Sequence, residues 1–299
     1  MSVSLPVDLS EASQEFLMPE LPEVETVRRG LNQKTLNQPI VGADVLLDRT
    51  IAYPALAAEF VAGLRRLAIA QWLRRGKYLL AELVDSANRP AGYLGVHLRM
   101  TGQLLWVAQD APLQKHCRVR LFFSENRELR FVDQRTFGQM WWVPGDRPPE
   151  SVITGLQALG PEPLSDDFSV DYFARWLRGR QRPIKNALLD QSLVAGIGNI
   201  YADEALFLSG IRPQTLCARL KPKQIQRLYG AIRDVLQTAI ANNGTTFSDF
   251  RDVQGINGNY GGVAWVYNRD GEPCRVCSAP ILRLKMAGRS AHYCKACQR

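Results

Sequence analysis

The last 26 residues hold Cys274-x2-Cys277-x16-Cys294-x2-Cys297, and no other feature narrows the possible folds of this chain as far. Two Cys-x2-Cys turns with a hairpin-length spacer present four thiolates tetrahedrally, the spacing of a structural zinc ribbon. The two other cysteines, Cys117 and Cys217, stand alone, so the set reads as a metal site and not as a disulfide framework. Four thiolates leave no open coordination position, so one structural Zn2+ is expected to fold the module and not to activate water. From Ala264 onward the tail carries Arg269, Arg275, Arg283, Lys285, Arg289, Lys295 and Arg299 against Asp270 and Glu272. A basic, metal-folded finger of this kind points to phosphate.

The rest of the chain shares that charge. Lys and Arg number 37 against 29 Asp and Glu, a net charge of +8. Residues 1–17 contain Asp8, Glu11 and Glu15 and no basic side chain, so the part from Met18 onward carries +11. Such an excess predicts a polyanionic partner. No apolar run reaches the roughly 18 residues a membrane span needs. The leader has neither the basic start nor the apolar centre of a secretory signal, and the expected location is the cytoplasm.

The periodicity predicts an α+β protein. A helix over Pro22–Leu36 has Pro22 in its first turn and Val24, Val27 and Leu31 on one face. From about Ile40 to Val143 short β-rich runs follow, among them Lys77–Leu83, Gln103–Val107, Val119–Phe123 and Leu129–Val132, which predict a β-sandwich. Pro144–Pro149 breaks that pattern. Helical spacing then runs from Ser165 to Asn243, with helices expected near Lys185–Leu193, Ile200–Leu208 and Pro222–Ala241, and Asn199 as an N-cap. Arg175, Arg178, Arg180, Arg182 and Lys185 precede the turn Gly196-Ile197-Gly198-Asn199, whose backbone amides and the helix start after it are expected to hold a phosphate. The polar, glycine-rich Thr245–Gly262 reads as a mobile loop outside any core. The expected units are a leader over 1–17, a β domain over 18–148, a helical domain with its loop over 160–262 and the ribbon over 263–299.

Six segments carry a resemblance: MPELPEVETVRRGL (18–31), RRGKYLL (74–80), HLRMTGQL (97–104), LGPEPLSDDF (159–168), GIGNIYADE (196–204) and GEPCRVC with YCKACQ (271–298). In this order, from Met18 to the end, they resemble the bacterial formamidopyrimidine-DNA glycosylases. The resemblance implies an N-terminal β-sandwich with an opening helix, a helix-two-turn-helix DNA-binding domain with a lesion-capping loop, and the zinc ribbon. It implies a bifunctional glycosylase and abasic-site lyase that removes oxidised purines from double-stranded DNA as a monomer in base excision repair. Pro19, once amino-terminal, would be the nucleophile, because a secondary α-amine with a pKa near ~8 is partly neutral at physiological pH. Glu20 maps to the carboxylate that handles protons at the deoxyribose, Lys77 to a phosphate-contacting lysine that assists proton transfer, and Arg289 to the phosphate clamp of δ-elimination. Met100 and Phe137 map to the wedges that fill the space of an extruded base, and Arg135 to the donor that holds the opposite cytosine. His116, Arg180, Lys185 and Asn199 fall at DNA-contact positions.

The segment Asp133-Gln-Arg-Thr-Phe137 departs from members that show Pro and a second basic residue where this chain has Gln134 and Thr136. The leader departs more, because with residues 1–17 attached Pro19 is a tertiary amide without a nucleophilic lone pair. Initiation at Met18 is therefore expected, with removal of the leader as another route to a free Pro19. Two other readings stay open: an endonuclease VIII-like enzyme preferring oxidised pyrimidines, and a non-catalytic binder of damaged DNA should the leader persist.

Overall fold

The computed structural model describes residues 18–245 and 251–299; the leader over 1–17 and part of the glycine-rich loop lie outside them. Helix α1 (Leu21–Lys34) opens the described chain with Pro22 in its first turn and buries Val24, Val27 and Leu31. It lies against a sandwich of nine strands and one short helix: β1 (Gly42–Val45), β2 (Ile51–Tyr53), α2 (Ala57–Leu64), β3 (Ala68–Arg75), β4 (Tyr78–Val84), β5 (Pro90–His97), β6 (Gly102–Ala108), β7 (Cys117–Phe123), β8 (Arg127–Asp133) and β9 (Gln139–Pro144). One sheet has the order β1-β7-β8-β6, the other β2-β9-β5-β4-β3, and only the β2–β9 pairing is parallel. Cys117, Val119, Leu121 and Phe123 alternate inward along β7, as one buried face requires.

Strand β4 departs from that alternation, with Tyr78, Leu79, Leu80 and Ala81 all buried. Leu79 and Ala81 face the core between the sheets. Tyr78 and Leu80 face a second core formed with Trp141, Val143, Ile153 and Leu156. The stretch after Pro144, including α3 (Pro149–Val152), is therefore a packed cover on the five-stranded sheet and not a free linker.

The helical domain consists of α4 (Val170–Leu177), α5 (Ile184–Leu188), α6 (Asn199–Leu208) and α7 (Pro222–Ala241). Helix α5 ends earlier than the expected Leu193 because polar side chains turn the chain. Asp190 Oδ1 accepts from Ser192 N at 3.0 Å, and the Gln191 amide bonds Ile197 O and Gly196 N, both at 2.8 Å. Helix α6 is buried from Ile200 to Phe207, including Asp203 and Glu204 at zero exposure. Glu204 is satisfied by the backbone N–H groups of Trp265, Val266 and Tyr267 at 2.8, 2.9 and 2.9 Å. That clamp fixes the chain to the helical domain just before the ribbon hairpin, β10 (Ile281–Met286) and β11 (Arg289–Cys294), so Ala264 and Tyr267 belong to the helical core.

The glycine-rich loop is not wholly outside a core. Val253 is 1% exposed within the sandwich core, and its carbonyl accepts from Trp106 N at 2.9 Å. Gly30 makes the notch for it, since a Cβ there would lie 2.5 Å from Val253 Cγ2. The polar composition of the loop hid one apolar anchor. Among the described residues no helix is long and apolar enough to cross a membrane.

Candidate active site and nucleic-acid interface

The turn before α6 was expected to offer its amides to a phosphate, but the protein's own acid fills it. Glu20, 2% exposed, accepts from Gly198 N at 2.8 Å, Ile200 N at 3.0 Å and Tyr201 N at 3.4 Å. It supplies from 178 residues away the anionic cap that a helix N-terminus favours. Asn199 is consequently not the cap; Gly198 holds that position. A side chain at 198 would collide with the carboxylate, since a Cβ there lies 2.3 Å from Glu20 Cδ. Glu23 stands behind Glu20. Its carboxylate accepts from Glu20 N at 2.8 Å, Tyr201 Oη at 2.5 Å and Thr245 N at 2.9 Å. Burial, then the neighbouring Glu20 charge, pushes Glu23 up to about 7 despite those donors. Burial also raises Glu20, against the opposing pull of Lys77 and of the three amides.

Two of the segments that carry the resemblance, RRGKYLL and LGPEPLSDDF, meet to hold Lys77 in place. The Glu162 carboxylate of LGPEPL accepts from Arg74 Nη1 at 2.6 Å, Arg75 Nη1 at 3.2 Å and Gly76 N at 2.6 Å. Gly76, at φ +55°, turns the chain so that Lys77 starts beneath the same cavity as Glu20. Burial lowers the Lys77 ammonium against the pull of Glu20, and the Arg289 charge adds to the lowering. The cavity, about 670 Å³, is lined by Met18, Glu20, Lys77, Met100, Asn199 and Arg289 among others, drawn from both domains and the ribbon. His97 also lines it, its ring edge-on to Tyr78 with centroids 4.5 Å apart. Burial, then Arg99 and Lys77, lowers His97 to about 3, so it is neutral at physiological pH. Sequence reasoning missed His97, although it stands at the head of HLRMTGQL; a lone histidine at a strand end gives no separate signal.

Beyond the cavity the expected residues divide. Phe137 is 53% exposed, and the Arg135 guanidinium lies 5.2 Å from its ring centre. Arg180 is exposed and stacked at 3.9 Å on Trp176, with Nε donating to Trp176 O at 2.6 Å. His116, half-buried, has Nδ1 3.2 Å from Arg118 Nη2. Lys185 does not fit a DNA-contact role as a surface residue. It is at zero exposure, with Nζ bound to Asp203 Oδ1 at 2.6 Å and Ser290 O at 2.5 Å, and it ties the helical domain to the hairpin that bears Arg289. Asn199 is half-buried at the cavity wall, Nδ2 3.5 Å from Tyr267 Oη, and its Oδ1 is buried without a hydrogen bond among the described residues.

The sulfurs of Cys274, Cys277, Cys294 and Cys297 lie within 4.8 Å of one another. Zn–S bonds of about 2.3 Å in a tetrahedron require sulfurs about 3.8 Å apart; Cys274–Cys297 at 3.9 Å and Cys277–Cys294 at 3.4 Å fit that requirement. The four cysteines hold one structural zinc, at the far end of the hairpin from Arg289.

Comparison with known proteins agrees with this architecture. A model of the formamidopyrimidine-DNA glycosylase N-terminal domain matches residues 18–140, its H2TH domain model matches 159–251, and the zinc finger found in FPG and IleRS matches 271–299. A formamidopyrimidine-DNA glycosylase of Acaryochloris marina is 64% identical over 281 residues, covering 94% of this chain and 99% of its own. One from Nostoc punctiforme is 66% identical over 281 residues, covering 94% and 96%. Among solved structures, Lactococcus lactis Fpg in complex with abasic-site DNA is 34% identical with a TM-score of 0.84 over 94% of this chain and 99% of that one. The MutM (Fpg) protein of Thermus thermophilus is 38% identical with a TM-score of 0.82, covering 94% and 98%. With its sandwich, helical domain and ribbon matched in sequence order, the chain belongs to the formamidopyrimidine-DNA glycosylase family.

Proposed function

We propose that the protein excises oxidised purines, such as 8-oxoguanine and formamidopyrimidines, from duplex DNA and cuts the strand at the resulting abasic site, with the Pro19 amine as nucleophile. The observation that carries this is the convergence of Glu20, Lys77, Met100, Asn199 and Arg289 on one cavity that Met18 and Glu20, the chain neighbours of the buried Pro19, also line. The neutral amine attacks C1′, the glycosidic bond breaks and the base leaves with a proton. Opening of the C1′–O4′ bond gives an iminium between C1′ and the Pro19 nitrogen. That iminium is the electron sink for loss of a C2′ proton and expulsion of the 3′ phosphate, followed by δ-elimination of the 5′ phosphate. Glu20, held rigidly by three amides, moves the proton at the deoxyribose. Lys77, its ammonium lowered by burial, contacts the phosphate beside the lesion and assists that transfer. Arg289 holds the phosphate that departs second.

The active form begins at Pro19, because a prolyl nitrogen inside the chain cannot form an iminium. Met100, Arg135 and Phe137 enter the space of the extruded base, and His116, Arg180 and Asn199 hold backbone. The residues proposed for the chemistry complete the cavity without a second copy, and the proposed working form is a monomer on cytoplasmic DNA. Borohydride trapping on a duplex carrying 8-oxoguanine opposite cytosine, read by peptide mass, tests the mechanism: a cross-link at Pro19 is expected. No cross-link with the leader still attached would favour a non-catalytic binder. Since a Lactococcus Fpg has been solved with oxidised-pyrimidine DNA, a matched pyrimidine lesion belongs in the same assay, and faster excision of it would overturn the purine preference.

A further inference from the structure

The residues proposed to enter the duplex sit on two separate turns, and a buried acid joins them. Met100 lies in the turn between β5 and β6, and Arg135 and Phe137 in the turn between β8 and β9. Asp133, 1% exposed at the end of β8, pairs across the ladder with Gly102 at the start of β6. Its Oδ1 accepts from the Thr101 hydroxyl at 2.5 Å, and its Oδ2 accepts from Gly138 N at 2.7 Å. The same Thr101 oxygen accepts from Arg135 N at 3.0 Å. The Asp133 backbone binds a third segment, the entry to β7, its N–H donating to His116 O at 2.9 Å and its carbonyl accepting from Arg118 Nε at 2.8 Å. One hydroxyl and one carboxylate thus bridge both turns at their bases, leaving Met100 and Phe137 at the tips.

The backbone at those tips needs such a bridge. Arg99 stands at φ +55° and Thr136 at φ +59°, the left-handed region, where a β-branched residue is strained. Strain of this kind persists only where the surroundings over-determine it. At Thr136 the hydroxyl accepts from Arg49 Nη2 on one side, and the Asp133 bonds to Thr101 and Gly138 close the turn from the other.

We propose that Thr101 and Asp133 are positioning residues that lock the Met100 turn and the Arg135–Phe137 turn into one rigid insertion unit, so that Arg135 meets the base opposite the lesion at a fixed place. This rests on the proposed insertion of Met100, Arg135 and Phe137. The Arg135 backbone N–H donates to Thr101 in the turn that carries Met100, so displacing one turn moves the other. Selection for cytosine opposite the lesion then depends on a hydroxyl that touches no DNA base.

The test is single-turnover excision of 8-oxoguanine opposite cytosine and opposite adenine, with protein starting at Pro19. Thr101→Val keeps the shape and removes the hydroxyl that serves both turns. It is expected to lower the cytosine-to-adenine rate ratio by roughly tenfold, the worth of about one net buried hydrogen bond, while Thr101→Ser keeps the wild-type ratio. Thermal melting accompanies both, because a merely structural role would lower stability without changing the ratio. An unchanged ratio in Thr101→Val, or an equal loss in Thr101→Ser, overturns the proposal. Absence of borohydride trapping in the wild-type protein would instead overturn the mechanism on which it rests.

Discussion

Glu23 shows how burial sets chemistry at a single residue. Its folded-state value of about 7 lies above the ordinary 4.5 of an unfolded glutamate. The fold therefore favours the protonated acid, and its contribution to stability is full below about pH 4.5 and lost as pH rises through 7. At 1.36 kcal/mol per pKa unit the swing is about 3 kcal/mol. Urea unfolding of wild type should weaken over that interval by about this amount more than unfolding of Glu23→Gln; parallel curves would refute the assignment. Glu20, Lys77 and Arg289 were legible in the sequence because each stands inside a short motif. The Asp203–Lys185 pair was not, because periodicity cannot reveal that a lysine in a basic cluster turns inward to a carboxylate 18 residues on, at 2.6 Å. The same holds for Glu20 as the cap of α6: nothing local to Gly198 or Asn199 records a partner at the start of the chain.

At the level of elements, the ribbon hairpin connects metal to chemistry. Its strands pair in continuous register from Ile281–Cys294 to Met286–Arg289, so the zinc-binding end and the Arg289 end form one lever. Two bonds set its angle: Ser290 O receives Lys185 Nζ, and His292 N donates to Asp203 Oδ2 at 2.8 Å. Removing zinc with a chelator, or substituting Cys274→Ala, should unfold the hairpin and withdraw Arg289. Duplex binding is expected to fall at least tenfold while the sandwich amides keep their hydrogen-exchange protection; retained binding by zinc-free protein would refute the linkage. The hairpin was readable from cysteine spacing, and α7 from strict amphipathic periodicity after Pro222. Helix α5 was overextended because the apolar pattern continues through Leu189 and Leu193, and only the side-chain bonds of Asp190 and Gln191 end the helix. The double burial of β4 went unread, although the run YLLA lacks the alternation of a strand covered on one face.

For the molecule as a whole, the proposed function assigns charge and specificity to different residues. The +11 of residues 18–299 draws duplex in without regard to sequence, and each phosphate neutralised releases condensed counterions. Arg180, stacked on Trp176 and far along the chain from the insertion turns, is a cation fixed in place before binding. Arg180→Ala should lower affinity for all duplexes alike and reduce the slope of log K against log salt by about 1. Arg135 is expected to behave in the opposite way. Held by Thr101 and lying against the exposed Phe137, it is proposed to read a base edge, and Arg135→Ala should reduce discrimination of the opposite base by about 1–3 kcal/mol. The salt slope should change little in that variant. Salt titrations of both variants on duplexes with cytosine and adenine opposite the lesion check the division. Equal loss of slope in both would mean that Arg135 binds backbone and that discrimination resides elsewhere. The sequence already separated the basic body from the proposed insertion residues through net charge and motif order, but not the route joining them. That route runs through Thr101 and His116 on two loops and Asp133 at the end of β8, and only the closed sandwich brings those segments together.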